Sequence, residues 1–147
     1  MTWKVNLYLE NAGKAPKEQE NYYGYVLEYQ GKQLNTRTEI NKCTATRHRR
    51  DLIMFLEALK RCKPCELTVY TDSSYLIGNF NRIEQYVRND WKKANNEPVK
   101  NADLWMEVVK EAEEKKISFE YGTHSYTGWL KSEIRRERND RNRTADL

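Results

Sequence analysis

Apolar and polar residues alternate with period two early in the chain and change to a helical period further on. Trp3, Val5 and Leu7 alternate before Tyr8 and Leu9 fill in, which predicts a first strand from Trp3 that ends at Glu10. Asn11 to Pro16 is a polar, turn-rich connection. Tyr23, Tyr25, Leu27 and Tyr29 keep period two and predict a second strand over Tyr22–Tyr29. Gln30 and Gly31 make a turn, and a third strand returns over Lys32–Ile40, giving an antiparallel meander. Thr44-Ala45-Thr46 offers N-cap residues, and Leu52, Phe55, Leu56 and Leu59 then sit at helical spacing, so a helix is expected over Arg47–Arg61.

Glu66–Thr71 carries β-branched and aromatic residues without Gly or Pro and reads as a buried fourth strand. Asp72-Ser73-Ser74 follows as a helix-start signal, and on this stretch alone Asp72 fits a plain cap as well as a functional carboxylate. Short helices are expected over Ser73–Phe80 and Arg82–Asn89, then a polar loop over Asp90–Asn101. Leu104, Trp105, Val108 and Val109 mark an amphipathic helix over Ala102–Lys115. A fifth strand over Ile117–Tyr121, a loop through Ser125 and a last helix from Gly128 to about Asn139 complete the pattern. The organisation is one domain over 1–138 and a polar tail over 139–147 that frays.

Composition narrows the class. No apolar run approaches the roughly 20 residues of a membrane span, and the N-terminus lacks the basic-then-apolar layout of a secretory signal. A cytoplasmic protein without a membrane partner is expected. Three cysteines are an odd count, and Cys62 and Cys65 form a lone C-x-x-C with no second ligand pair for a structural zinc, so reduced thiols are expected. A net charge of +4 suits a polyanionic partner without pointing to one.

Four carboxylates stand at telling places: Glu10 at the end of the first strand, Asp51 near the start of the first long helix, Asp72 at the end of the fourth strand and Glu133 in the last helix. With the first and fourth strands adjacent in a mixed sheet, these acids meet at one edge. Their mutual repulsion is relieved by two divalent cations, which together form a phosphoryl-transfer site. The basic run Arg47-His48-Arg49-Arg50 opposes the helix macrodipole and so calls for another reason, such as an anionic partner.

Two stretches carry a family resemblance. Tyr70-Thr71-Asp72-Ser73-Ser74-Tyr75 matches a T-D-S element, and Trp91 to Trp105 follows a W-K…P-V-K-N-x-D-L-W pattern without a gap, supported by Leu56-Glu57-Ala58-Leu59. Over roughly Val5 to Arg136 the chain resembles the type 1 ribonuclease H family. The resemblance implies an RNase H-like α/β fold, a mixed five-stranded sheet (three antiparallel strands, then two parallel) flanked by helices. It implies a monomeric endonuclease that hydrolyses the RNA strand of RNA/DNA hybrids with two Mg²⁺ ions, Mn²⁺ being a substitute. One ion would activate water and the other stabilise the leaving 3′ oxygen, with Asp72 and Glu10 shared and Asp51 and Glu133 one-sided.

The family set is Asp, Glu, Asp, Asp. Asp72 falls on the strand-four Asp, Asp51 on the helix Glu with one methylene less, and Glu10 on the first-strand Asp with one more. Counting from His124 puts Ile134 in register with the last Asp; Glu133 needs a one-residue slip, and Asp140 lies about two turns further on. These departures imply reduced activity. By the same resemblance His124 assists proton transfer or product release, and Thr46 and Asn101 grip a phosphate of the DNA strand. Tyr86, Trp91 and Lys92 belong to the basic, aromatic nucleic-acid surface, with core packing an equal reading for Trp91, and Arg47 of the basic run before the first long helix is a further nucleic-acid-binding candidate. The family's Gly-rich loop after the first strand is replaced by the charged stretch Asn11–Asn21. Two alternatives remain: a catalytically impaired protein that binds hybrid or double-stranded RNA, and a DNA-cutting enzyme of the transposase or resolvase kind, which the Trp91–Trp105 motif disfavours.

Overall fold

The computed structural model describes residues 3–145, with side chains through 141. Strands β1 (Lys4–Asn11), β2 (Gln19–Gln30) and β3 (Leu34–Ala45) form the antiparallel meander. Helix α1 (Arg47–Lys60) crosses to β4 (Glu66–Thr71), which lies parallel to β1 in the register Leu7 to Val69. Helices α2 (Ser74–Asn81), α3 (Ile83–Arg88) and α4 (Ala102–Ala112) precede β5 (Lys116–Tyr121), parallel to β4, and α5 (Thr127–Ala145) ends the described chain. The sheet order is β3-β2-β1-β4-β5, the mixed five-stranded sheet expected from the sequence.

Strand periodicity splits the core between the two faces of the sheet. Leu7, Leu9, Tyr25, Leu67 and Val69 pack with Leu52, Phe55 and Leu59 of α1 and Trp105 of α4. Tyr8 and Val26 face the other way and meet Leu130 of α5. Because β1 and β4 run parallel, their C-terminal ends open on one edge, where ligands bind in open α/β sheets.

Four boundaries differ from expectation, the first being α4, which ends at Ala112 rather than Lys115 because the chain turns there, Lys115 N donating to the Ala112 carbonyl at 3.0 Å. The β2–β3 ladder continues to the pair Gln19–Ala45, although Asn41–Thr44 carries little hydrophobic signal, because strand pairing is made by backbone groups whatever the side chains. Lys32 and Gln33 belong to the hairpin turn rather than to β3. Helix α5 continues past Asn139 to Ala145, where a frayed tail was expected; Arg141, Arg143 and Ala145 are good helix formers among the poorer Asn, Asp and Thr, and Arg141 Nε donates to Glu137 Oε1 at 3.1 Å one turn back. Residues 146–147 of the expected tail lie outside the described residues.

The charged Asn11–Asn21 connection is built over a buried cation. Arg50 of α1 is fully buried, and its Nη2 donates to the carbonyls of Gln19 and Ala45. A Cβ on Gly13 would collide with Arg50 Nη1, so any larger residue there would have to displace the guanidinium from its carbonyl partners. The guanidinium thus ties the β1–β2 loop to α1 beside the edge where the acids meet.

Candidate active site

Glu10, the last but one residue of β1, has its side chain buried. Asn11 follows and fixes Asp51: its Nδ2 donates to Asp51 Oδ1 at 2.8 Å and to the Arg47 carbonyl at 3.1 Å. Ser73 Oγ donates to the other Asp51 oxygen at 2.9 Å. The same hydroxyl accepts from Leu76 N at 3.1 Å, so Ser73 caps α2 and Asp72 is released from that duty. Asp72 is exposed, and Lys14 Nζ lies 3.2 Å from its Oδ2 and 3.9 Å from Glu10 Oε1.

The three acids share one electrostatic field. Burial pushes the Glu10 carboxyl above its ordinary range; Lys14 and Lys131 oppose the rise, while Asp72 and Asp51 add to it. Burial likewise raises Asp51, against the hydrogen bonds from Asn11 and Ser73 and the charges of Arg47 and Lys14. The edge therefore gathers Glu10, Asp51 and Asp72 with Lys14 bridging the first and last.

Glu133 is not brought into this group. It pairs with Arg136, whose Nη1 stands 3.4 Å from Glu133 Oε1. Helix geometry explains the separation. Leu130 and Ile134 face the sheet, and at about 100° per residue Lys131 and Glu133 fall about 200° apart, on opposite flanks. Asp140, seven residues beyond Glu133, lies on the Glu133 flank by the same geometry. The α5 charge that acts on Glu10 is Lys131.

These neighbours decide which ion the donor set fits. Among the described residues no three His, Cys, Asp or Glu side chains are gathered tightly enough to hold a metal ion as they stand. Hard carboxylate oxygens suit Mg²⁺ or Mn²⁺. The Lys14 ammonium already stands against Glu10 and Asp72, so a cation belongs there. Both Asp51 oxygens are held by neutral donors, and the α5 side chain in the field of Glu10 is cationic. The residues fit one divalent ion in place of the ammonium and do not supply acids for a second.

His124 has both ring nitrogens engaged. Nε2 lies 2.9 Å from the Leu9 carbonyl, to which it donates, and Nδ1 accepts from Tyr126 N at 3.1 Å. Burial lowers its pKa, against the Leu9 carbonyl and Asp72, which favour the charged form, so the neutral ring pins the β5–α5 loop to β1. His124→Ala leaves the Leu9 carbonyl without this donor and is expected to cost about 1–3 kcal/mol in denaturant unfolding. It should leave the pH profile of any cleavage unmoved; loss of a limb of that profile would show instead that the imidazole exchanges protons.

The other expected contacts form two groups. Thr46 Oγ1 accepts from Arg49 N at 3.2 Å and caps α1. Arg49 spans to Asn101 Oδ1 at 3.0 Å and forks onto Asp103 at 3.1 and 2.7 Å. Asn101, in left-handed backbone before α4, donates to Tyr75 Oη at 2.9 Å. Arg47 sits one turn before Asp51. Tyr86 and Trp91 are largely packed: Tyr86 is buried with its hydroxyl on Asn79 at 2.9 Å, and Trp91 packs against the core. Beside them opens a cleft of about 760 Å³ whose lining includes Arg82, Arg88, Lys92, Lys93 and Lys100 and no carboxylate.

The sequence model of the RNase H family matches residues 4–144. The chain belongs to the ribonuclease H family. That family's function is hydrolysis of RNA in RNA/DNA hybrids, with divalent metals in general use. A ribonuclease H of Lachnoclostridium phytofermentans is 31% identical over 133 residues, covering 79% of this chain and 77% of that relative. One of Rickettsia bellii is 47% identical over 68 residues, 45% of this chain and 44% of that relative. The matched stretch spans about half the length of the first relatives. Among solved structures, LC9-RNase H1, described as a type 1 RNase H with the type 2 active-site motif, superposes with TM-score 0.74 at 18% identity, covering 90% of this chain and 70% of that one. A foamy viral protease-reverse transcriptase solved in complex with RNA/DNA hybrid gives TM-score 0.65 at 13% identity, over 83% of this chain and 18% of that one. At these identities the likeness is one of fold.

Several members of the site carry no signal in the sequence pattern. Lys14 and Asn11 fall in a stretch whose sequence reads only as polar connection, and Ser73 reads as half of a cap. Arg49 shows in the sequence only as part of a basic run. Lys131 is overshadowed there by the acids of α5, which point to Glu133; placing Leu130 and Ile134 on the buried stripe puts Lys131 on the other flank.

Proposed function

We propose that this chain cleaves the RNA strand of RNA/DNA hybrids endonucleolytically at the edge formed by Glu10, Asp51 and Asp72. The convergence of these three acids from β1, α1 and the β4–α2 turn, in a chain of the ribonuclease H family, carries the reading. Glu10 and Asp72 would hold one Mg²⁺ or Mn²⁺, which when bound supplies Lewis acidity at the scissile phosphate. Asn11 and Ser73 keep Asp51 in one orientation, and its buried carboxyl holds a proton more readily than an exposed one. Lys14 and Arg47 bring positive charge to an edge that a phosphate must approach. The basic cleft beside Tyr86 takes phosphates of the duplex beyond the reacting one, so recognition rests on backbone and shape rather than base sequence. The free cysteines, Cys62 and Cys65 included, support a reducing, cytoplasmic setting.

End-labelled hybrid, single-stranded RNA and duplex DNA, each incubated with Mg²⁺ and with Mn²⁺, test this. Cutting within the RNA of the hybrid alone, leaving 5′ phosphates, is the expected result. A second reading is favoured by Lys131, a cation in the field of Glu10: the chain binds hybrid without cutting it. Salt-sensitive binding with no cleavage under either metal would replace the first reading by the second.

A further inference from the structure

Helix α5 carries its charges in two segregated rows. Glu133, Glu137 and Asp140 follow one another at four and three residues and share one flank. Lys131, Arg135 and Arg138 repeat the same spacing on the opposite flank, with no acid among them. The acidic row has cations of its own, since Arg136 pairs with Glu133 and Arg141 with Glu137.

Two contacts orient the basic row. Leu130, next to Lys131, packs on Tyr8 of β1 and Val26 of β2. Arg138 Nη2 donates to Asn21 Oδ1 at 3.0 Å, and its guanidinium lies 5.3 Å from the Tyr22 ring centroid, near the start of β2. The end of β1 and the start of β2 lie on the same end of the sheet, since Asn11 pairs with Tyr23. Helix α5 therefore crosses the strands at the level of the acidic site with its basic flank turned to that end. Lys42 of β3 continues the line, its Nζ 5.9 Å from the same Tyr22 ring. Lys131 and Arg135 are exposed, and Lys131 to Arg138 spans about 10 Å along the helix axis, the axial length of about three phosphates of one strand.

From this we infer a second nucleic-acid contact: the Lys131–Arg135–Arg138 flank of α5 binds the phosphate backbone of the hybrid where it leaves the active site over β2 and β3. It lies on the opposite face of the sheet from α1 and α4, and so across the catalytic edge from the Arg82–Lys93 cleft. A short duplex engages the site and the cleft; a longer one reaches the α5 row. Arg138 is held by Asn21 and the Tyr22 ring, and Leu130 beside Lys131 is packed on the sheet, which gives the row a fixed direction that a solvated helix face lacks. The inference rests on the proposed hybrid substrate.

The test measures binding of fluorescent RNA/DNA hybrids of about one and about two helical turns to the full chain across a salt series, without divalent metal so that no cutting intervenes. Arg135→Gln with Arg138→Gln should lower the slope of log K against log salt by about 1.8 for the longer hybrid, about 0.9 for each phosphate no longer neutralised. At ~0.15 M salt that is roughly a 10–30-fold loss of affinity. The shorter hybrid should bind the double variant as it binds the parent. Arg138→Lys, which keeps the charge if the Asn21 hydrogen bond is disturbed, should keep the parental slope, and Arg136→Gln on the acidic flank should change nothing. A parent that binds and a double variant with the same slope on the longer hybrid would overturn the α5 contact alone. A parent that binds no hybrid of either length would remove the substrate reading and the α5 contact with it.

Discussion

Asp72→Asn is expected to reduce metal-dependent cleavage of RNA/DNA hybrid by at least ~100-fold, a loss of about 2.7 kcal/mol in transition-state stabilisation. Asp72 is the one acid of the three that is exposed at the edge, and the Asn side chain keeps its shape while removing the charge that attracts a cation. The fold should not register the change. Asp72 does not cap α2, since Ser73 does, and its ion pair with Lys14 joins two half-exposed side chains, the class of pair that contributes about 0–1 kcal/mol. Unfolding midpoints of parent and variant should therefore agree within a degree or two. Hybrid affinity should stay level or rise, because a negative charge has left a surface that receives phosphates. Parental cleavage rates in the variant would move the catalytic role away from Asp72. A large drop in stability would show that Asp72 holds the β4–α2 turn together instead.

The parts of this protein that are legible in the sequence are those where backbone geometry is written in side-chain periodicity. Leu7 and Leu9 against Tyr8, Val69 against Tyr70, and the Leu52–Phe55–Leu59 stripe each announce a face, and each occupies that face in the structure. The junction Thr71–Asp72–Ser73 is legible for the same reason, as a buried strand running into a capped helix. What stays hidden depends on contacts between segments. The Asn11–Asp51–Ser73 chain joins residues from three elements, and nothing in the order of any one of them signals the other two. The burial of Arg50 under Gly13 follows from the path of a loop rather than from its composition. Glu133 shows a different limit: counting residues from His124 gives a position along α5 but says nothing of its flank, and on a helix two residues of error turn a side chain to the other side.

The Lys14 ammonium gives the most direct handle on metal binding, and Lys14→Gln is expected to tighten Mn²⁺ binding by about tenfold or more. Glu10, Asp51 and Asp72 bring three formal negative charges, and Lys14, Lys131 and Arg47 set three positive ones against them. A divalent ion thus meets a site of low net charge. A unit charge about 6 Å from such an ion is worth about 1.4 kcal/mol even at the dielectric of water, a factor of about ten, and more where the site is partly buried. Lys14 is 43% exposed on its side chain, so it can swing into solvent as the ion enters, but it gives up its contacts with Asp72 and Glu10 when it does. Glutamine removes that competition at nearly the same length. Mn²⁺ titration followed by electron paramagnetic resonance or calorimetry reads the affinity without any turnover, and Lys14→Arg, which retains the charge, should bind as weakly as the parent. In the cleavage assay the same change should lower the metal concentration needed for half-maximal rate. Unchanged Mn²⁺ affinity in Lys14→Gln would mean that the ion does not enter between Glu10 and Asp72, and that the acids of this edge serve a protein that binds its nucleic acid without cutting it.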